Sequence, residues 1–278
     1  MDLVFHAGAL SAQWARGGAA EFRAVNVGGT ENVLEGCRRH GIRRLIYVSS
    51  PSVFSNGKDQ EGLTEESPLP RRFVSVYSQT KKLGEDRVAQ AALTGLETIV
   101  LRPKAVFGPG DLTLLPRLLT AARAGRLRQI GDGTNRLDLT YIDNAVHALR
   151  LCIDAPASAL GRTYNVTNGE SAALWEVIRR MLRGSGVSDD LRCISFPAAL
   201  LAAGAMEALS TLTGREPALT RYSIYILART QTFDISAARR DLGYEPIVPF
   251  SEGLERTMVA LSGHHSSAIN LSHTHVTI

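Results

Sequence analysis

Residues 26–54 read NVGGTENVLEGCRRHGIRRLIYVSSPSVF, and this stretch decides the fold. Apolar residues recur at helical spacings over residues 26–40, and Gly41 followed by Ile42 is typical of a helix end. Residues 45–48 are then continuously apolar, which is typical of a strand buried on both faces of a parallel sheet. This strand ends abruptly at Ser49-Ser50-Pro51.

The same alternation continues on both sides of this stretch. Upstream, residues 3–5 form a short apolar run that ends in small residues. Downstream, Ser75 is placed to cap a helix that reaches residue 93, and residues 98–101 form a third apolar run. Strand, helix, strand, helix and strand at these lengths predict an α/β fold with a doubly wound parallel sheet and right-handed crossovers.

Beyond residues 108–110 the alternation loosens. The pattern predicts helices over residues 114–124, 144–153 and 174–182, strands over 139–141 and 164–166, and a mostly helical stretch to about residue 261. This part predicts a smaller, helix-rich second domain. Residues 263–278 hold four of the seven histidines without metal-ligand spacing, so they predict a disordered tail and no metal site.

Composition and charge exclude several classes of protein. The net charge of +4 comes from 31 basic and 27 acidic residues, which argues against a nucleic-acid-binding protein. The three cysteines are far apart and predict free thiols. The N-terminus does not resemble a secretory signal, and the most apolar segment, residues 197–206, is half the length that a membrane span needs. We expect a cytoplasmic protein without a stable membrane span; a homodimer is compatible with these features.

A tyrosine and a lysine lie four residues apart in the predicted helix 75–93. Tyr77 and Lys81 therefore project from one helix face. Ser50 follows a buried strand at its carboxyl end, the edge at which open α/β sheets bind ligands. A nearby ammonium group lowers the pKa of a phenol, and a serine hydroxyl can hold a substrate oxygen beside it. These three residues predict proton transfer to or from a substrate oxygen.

The sequence resembles the extended short-chain dehydrogenases/reductases, in particular the 3β-hydroxysteroid dehydrogenase/isomerase-like branch of the epimerase/dehydratase superfamily. The matching stretches are VFHAGAL (4–10), the stretch 26–54, YSQTKKLGE (77–85), LRPKAVFGPGD (101–111), the run 138–148 and LGYEPIVPFSEGL (242–254). The resemblance implies a Rossmann-type dinucleotide-binding domain over residues 1–107 and 137–167. It implies a substrate-binding domain over residues 108–136 and 168–262.

The resemblance also assigns roles to single residues. Ser50, Tyr77 and Lys81 would be catalytic, and Asn26 would support a helix and a proton relay. The implied cofactor is NAD or NADP. It would contact Ala7, Gly8, Ala9, Ser49, Tyr77 and Lys81, with Pro103, Ala105 and Val106 bordering the nicotinamide.

The implied reaction interconverts a secondary alcohol and a ketone on a small hydrophobic substrate, of the 3β-hydroxysteroid or 2-alkyl-3-ketoacid type. Residues 196–212 and 222–227 are candidate pocket walls. A nucleotide-sugar epimerase or dehydratase is an alternative, although Pro51-Ser52 stands where dehydratases usually carry an acidic pair. A catalytically inactive binding protein is another.

Members of this family begin with a strand, a glycine-rich turn and a second strand, whereas residues 3–5 correspond to the fourth strand. We therefore expect an N-terminally truncated chain whose sheet lacks its first strands. Residues 3–5 would then form an exposed edge, and cofactor binding would weaken by about a hundred- to several-thousandfold.

Overall fold

The computed structural model describes residues 2–111 and 114–270. The strands are β1 (Leu3–His6), β2 (Arg44–Val48), β3 (Gln60–Leu63), β4 (Glu97–Pro103), β5 (Val106–Phe107), β6 (Gln129–Ile130), β7 (Arg136–Asp138), β8 (Thr140–Tyr141), β9 (Arg162–Val166), β10 (Ser171–Ala173), β11 (Cys193–Ile194) and β12 (Gln231–Phe233). The helices are α1 (Gly18–Arg23), α2 (Gly29–Arg39), α3 (Val76–Ala92), α4 (Leu114–Arg123), α5 (Ile142–Leu151), α6 (Leu174–Gly184), α7 (Phe196–Thr213), α8 (Arg221–Ala228), α9 (Ser236–Leu242) and α10 (Phe250–Asn270).

The main sheet is fully parallel, with the strand order β1-β2-β4-β9. In its register, Phe5 lies opposite Ile46, and Ile46 lies opposite Ile99. The predicted parallel α/β sheet is confirmed. Strand β1 lies at the edge, where Phe5 is 44% exposed, as expected for residues 3–5.

Helices cover both faces of this sheet. On one face, Leu45 and Tyr47 of β2 pack with Cys37 of α2 and Val88 of α3. On the other face, Ile46 and residues of β4 and β9 pack with α5 and α9. Because both faces are buried, these strands are continuously apolar rather than alternating, and the doubly wound arrangement is confirmed.

Helix α3 begins and packs as its sequence predicts. Ser75 is the N-cap, and its hydroxyl accepts a hydrogen bond of 3.1 Å from the backbone N–H of Ser78. Gly84 brings the helix directly against β2, because a Cβ at this position would lie 2.3 Å from the hydroxyl oxygen of Tyr47. Any larger side chain would push the helix that carries Tyr77 away from the sheet.

A second sheet has the order β10-β7-β12-β3. Strand β12 pairs in parallel with both β3 and β7, while β10 is antiparallel to β7. This sheet therefore joins residues that precede α3 to the helix-rich part of the chain. In that part, Trp175 of α6 is fully buried and donates a hydrogen bond of 3.0 Å to the carbonyl oxygen of Leu227 in α8.

Helix α7 is longer than the apolar segment expected from the sequence. It runs over 18 residues with a mean hydropathy of 1.3, and 17% of it is buried. The expectation of a segment of half the membrane-spanning length was wrong, because the helix continues through residues 207–213. Within the described residues, it is the helix that is long and apolar enough to cross a bilayer, by length and composition only.

Helix α10 continues to Asn270, into the segment 263–278 that was expected to be a tail. The rest of that segment, residues 271–278, lies outside the described residues. The three cysteines are free, as expected.

A buried ion pair connects α3 to the main sheet. The Nε and Nη2 atoms of Arg102 in β4 donate hydrogen bonds of 2.8 and 2.7 Å to the carboxylate of Glu85 in α3. The Ser49 hydroxyl donates a third, of 2.5 Å, to the same carboxylate. Both charged side chains are only 6% exposed. The pair thus fixes the position of α3 against the ends of β2 and β4.

We expect Glu85→Gln to lower the free energy of unfolding by about 3–5 kcal/mol, because it leaves the buried guanidinium without a counter-charge. Urea unfolding followed by circular dichroism measures this loss. Glu31→Gln is the matched control, since Glu31 forms an exposed pair with Arg87 and its loss should leave the midpoint nearly unchanged. Equal midpoints for the Glu85 variant and the wild type would contradict this structural role.

Candidate active site

The predicted site residues converge at the carboxyl edge of the main sheet. Ser50 directly follows β2, and Tyr77 and Lys81 lie in the first two turns of α3. Ala7, Gly8 and Ala9 directly follow β1, and Pro103 ends β4. Because the strands are parallel, their carboxyl ends meet at one edge, and residues from four distant stretches come together.

The phenol of Tyr77 lies beside two serine hydroxyls. Burial raises the pKa of Tyr77, whereas the nearby hydroxyls of Ser11 and Ser50 lower it by smaller amounts. Ser50 also accepts a hydrogen bond of 3.2 Å from the backbone N–H of Ser52, which leaves its own hydroxyl proton available for another acceptor. The structure thus brings Ser50 and Tyr77 together and adds Ser11, which the sequence analysis missed.

Lys81 is 2% exposed and points toward the sheet. Its Nζ donates a hydrogen bond of 2.8 Å to the carbonyl oxygen of Val48 and lies 4.3 Å from the ring centroid of Tyr47. Burial lowers the pKa of Lys81 to about 8, against the opposing effect of the Glu85 charge. The expected lowering of the Tyr77 pKa by Lys81 is not found, because the Val48 carbonyl and the Tyr47 ring hold the ammonium group.

Asn26 holds the segment after β1 against α3. Its Oδ1 accepts a hydrogen bond of 2.7 Å from the backbone N–H of Leu10, and its Nδ2 donates one of 3.0 Å to the Thr80 hydroxyl. Asn26 is 1% exposed and lies in a π-helical turn, Ala24–Gly28, between α1 and α2. Such turns are frequent at functional sites. The contacts support the implied role of Asn26 in holding a helix, and the proton relay stays a prediction.

His6, the last residue of β1, is a site residue that the sequence analysis missed. Its Nε2 lies 3.0 Å from the hydroxyl oxygen of Thr30, whose own proton goes to the carbonyl oxygen of Asn26 at 2.7 Å. Nε2 is therefore assigned as the protonated ring nitrogen. Burial, followed by the charge of Lys81, lowers the pKa of His6. The signal in the sequence is a histidine that directly ends a buried apolar run.

The residues implied to contact the cofactor fall into two groups. Ala7 and Gly8 are exposed, and Ala9 is half-buried, so their backbone is accessible at the sheet edge. Ser49 is 4% exposed, and its hydroxyl is bound to Glu85. The place of Ser49 in the cofactor site stays a prediction, although its side chain faces the interior. The reason is that consecutive residues of an extended strand point in opposite directions.

Ala105 has a strained backbone. Its φ of +43° lies in the left-handed region, which alanine rarely adopts. Pro103 on one side is half-buried, and Val106 on the other is 37% exposed. The strain lies between the two other residues implied to border the nicotinamide.

Tyr222 of α8 belongs to the helix-rich part of the chain and extends the site in that direction. Burial and the neighbouring Tyr77 raise its pKa, whereas the hydroxyls of Ser52 and Ser78 lower it. The sequence analysis did not single out Tyr222, the second phenol beside Tyr77. The apolar stretch 222–227 had nevertheless been expected to line a pocket.

Comparison with known proteins identifies the family. The model of the 3-beta hydroxysteroid dehydrogenase/isomerase family matches residues 1–198. The 2-alkyl-3-oxoalkanoate reductase of Stenotrophomonas maltophilia is 40% identical over 263 residues, which are 92% of this chain and 79% of that protein. The 3beta-hydroxysteroid-dehydrogenase/decarboxylase isoform 1 of Arabidopsis thaliana is 40% identical over 271 residues, 91% of this chain and 61% of that protein.

A third relative, the decarboxylating sterol-4-alpha-carboxylate 3-dehydrogenase of Schizosaccharomyces pombe, is 33% identical over 240 residues, 84% of this chain and 71% of that protein. Among solved structures, a UDP-glucuronic acid 4-epimerase from Bacillus cereus in complex with NAD superposes with a TM-score of 0.70 at 23% identity. The superposition covers 95% of this chain and 76% of the epimerase chain. This likeness shows a shared fold.

We expect the protein to lose stability as the pH falls below about 6.5, the ordinary pKa of histidine. The pKa of His6 is lowered in the folded state, so the unfolded chain takes up a proton first and acidification favours unfolding. Urea unfolding at about pH 7.5 and pH 5.5 measures the change. In His6→Gln the change should be smaller, because glutamine keeps a donor for Thr30 but does not titrate. The other histidines are present in both proteins, so identical pH dependence would exclude His6 as the cause.

Proposed function

The chain belongs to the 3-beta hydroxysteroid dehydrogenase/isomerase family, and we propose that Ser50, Tyr77 and Lys81 carry its reaction. It is an NAD(P)-dependent oxidoreductase that acts on a hydroxyl or keto group. The observation that carries the proposal is the Tyr77 phenol beside the Ser50 hydroxyl at the carboxyl edge of a parallel sheet. Lys81 lies one helical turn away on the same helix.

The residues at this edge fit the nicotinamide end of NAD or NADP. Lys81 is a compact cation with one of its three donors used by Val48, so two donors remain for ribose hydroxyls. The exposed backbone of Ala7 and Gly8 allows close approach of a ligand. When bound, NAD or NADP would supply hydride-transfer chemistry at the substrate carbon.

Tyr77 and Ser50 act on the substrate oxygen. In reduction, the Tyr77 phenol donates its proton to the carbonyl oxygen, and the Ser50 hydroxyl donates a hydrogen bond to the same atom. Because burial raises the pKa of Tyr77, the phenol is protonated at neutral pH and is ready to act as the acid. In oxidation the same groups work in reverse, and the nearby hydroxyls of Ser11 and Ser50 favour the phenolate.

The proposed substrate is a β-oxo or β-hydroxy carboxylic acid with large apolar substituents. Two relatives are named for substrates of this chemistry, a 2-alkyl-3-oxoalkanoate and a sterol-4-alpha-carboxylate that is dehydrogenated at carbon 3. In both, the reacting carbon adjoins a carbon that bears a carboxylate. The 3β-hydroxysteroid type without a carboxylate is the other substrate expected from the sequence. A homodimer and a cytoplasmic location stay predictions.

Turnover of a 2-alkyl-3-oxoalkanoate with NADH or NADPH, followed by nicotinamide absorbance, tests the activity. The site test is Tyr77→Phe, which should lower kcat by about 10²- to 10⁴-fold because it removes the proton donor. The dissociation constant of the reduced cofactor, measured by fluorescence, should stay nearly the same.

Tyr164→Phe is the control, since Tyr164 is a fully buried tyrosine whose hydroxyl bonds Ala159 and Asp241, away from the carboxyl edge. It should turn over as the wild type does. Full activity of Tyr77→Phe would remove Tyr77 from its role. A protein that acts on nucleotide sugars but on no ketoacid or steroid would instead be an epimerase or dehydratase.

A further inference from the structure

Lys104 is a buried lysine that the proposed mechanism does not use. It directly follows Pro103 at the end of β4, and it is 8% exposed. Only four lysines occur among the 31 basic residues of the chain, and this one lies at the edge where the site is built. Burying an ammonium group is costly in free energy unless neighbouring groups compensate its charge, so the neighbours of Lys104 bear on its role.

The partners of Lys104 leave its charge incompletely compensated. Its Nζ donates a hydrogen bond of 2.5 Å to the neutral Oε1 of Gln231 and lies 5.4 Å from the ring centroid of Phe233. Asp138 is near enough to raise the pKa of Lys104, but its carboxylate accepts a hydrogen bond of 2.6 Å from the backbone N–H of Phe233. Within the described part of the chain, no carboxylate forms an ion pair with Lys104.

Gln231 is oriented for this contact. Its Nε2 donates hydrogen bonds of 3.2 Å to the Ser55 hydroxyl and 3.1 Å to the side chain of Gln60. These two bonds direct the amide oxygen toward Lys104. The ammonium group is thus held in one place, with two of its three donors left for another acceptor.

A small cavity opens beside Lys104. A water-sized sphere can occupy about 20 Å³ of it, which is enough for an atom group of about the size of one water molecule, such as one carboxylate oxygen. Its lining includes Lys104, Gln231, Ser55 and Tyr222. Tyr222 also adjoins Tyr77, so one side chain borders both the cavity and the proposed proton donor.

We propose that Lys104 binds the carboxylate of the substrate, with Gln231 holding its ammonium group in place. This inference rests on the proposed function, in which the carboxylate lies one carbon from the reacting carbon. The carboxylate adds a negative charge bonded directly to the buried ammonium, which Asp138 does not provide. Charge-assisted hydrogen bonds of this kind are stronger than neutral ones, so they select the acid over its neutral derivatives.

The test compares binding of a 2-alkyl-3-hydroxyalkanoate and its methyl ester, by calorimetry. The wild type should bind the acid about 10- to 100-fold more tightly than the ester, and Lys104→Met should bind both alike. Lys58→Met is the matched control, because Lys58 lines the same cavity but is exposed, and it should keep the preference. Equal binding of acid and ester by the wild type, or an unchanged preference in Lys104→Met, would overturn the proposal.

A second measurement uses the wild type and does not depend on how the variant folds. Burial lowers the pKa of Lys104 to about 8, so the preference for the acid should decline as the pH rises through 8, while binding of the ester stays constant. The titratable groups that face Lys104 are Asp138 and, around the cavity, Lys58, Arg229, Tyr222 and Tyr225. A preference that is constant from about pH 6.5 to pH 9.5 would overturn the proposal.

Turnover separates this inference from the proposed function. If the wild type oxidises the hydroxy acid but Lys104→Met raises KM equally for acid and ester, the function stands and the role of Lys104 is wrong. If the wild type oxidises neither compound with NAD or NADP, the proposed function itself is wrong, whatever the binding preference is.

Discussion

The contact between Glu85 and Arg102 is the constraint on which the site depends. Two charged side chains that are almost completely buried can stay there only as a pair, because each alone would carry a large desolvation cost. Their bidentate geometry fixes α3 relative to β4, and the third bond from Ser49 fixes both to the end of β2. Ser50 is the next residue along the chain, and Tyr77 lies two helical turns before Glu85. These buried contacts therefore determine the distance between the Ser50 hydroxyl and the Tyr77 phenol.

Much of the fold could be predicted because its determinants are local. Strands that are covered on both faces are continuously apolar in sequence. Ser75 predicts the start of α3, because a serine side chain is suited to an N-cap. The placement of Tyr77 and Lys81 follows from helical spacing alone. The orientation of Ser49 was open to the same reasoning, because strand geometry turns two consecutive serines in opposite directions. Only one of Ser49 and Ser50 could face the site.

The residues that sequence reasoning missed depend on contacts between distant parts of the chain. His6 meets Thr30 across 24 residues, and Lys104 meets Gln231 across 127. The periodicity of the sequence does not show which residues so far apart along the chain come into contact. Tyr222 belongs to a stretch that was expected to line a pocket, but its place beside Tyr77 results from how α8 packs against the sheet. The extent of α7 was misjudged for another reason, since its last residues are less apolar and yet continue the helix.

The sheet that joins β3 to β12 has a consequence for how a ligand enters. The backbone N–H of Gln60 donates a hydrogen bond to the carbonyl oxygen of Thr230, and the backbone N–H of Asp234 donates one to the carbonyl oxygen of Leu63, both at 2.9 Å. A hinge motion that separated the two parts of the chain would break this ladder, so the pairing of β12 with β3 opposes such a motion. A bulky ligand would then reach the carboxyl edge of the main sheet through local rearrangement of the side chains and loops around it. The rate of association would consequently report loop motion rather than domain closure.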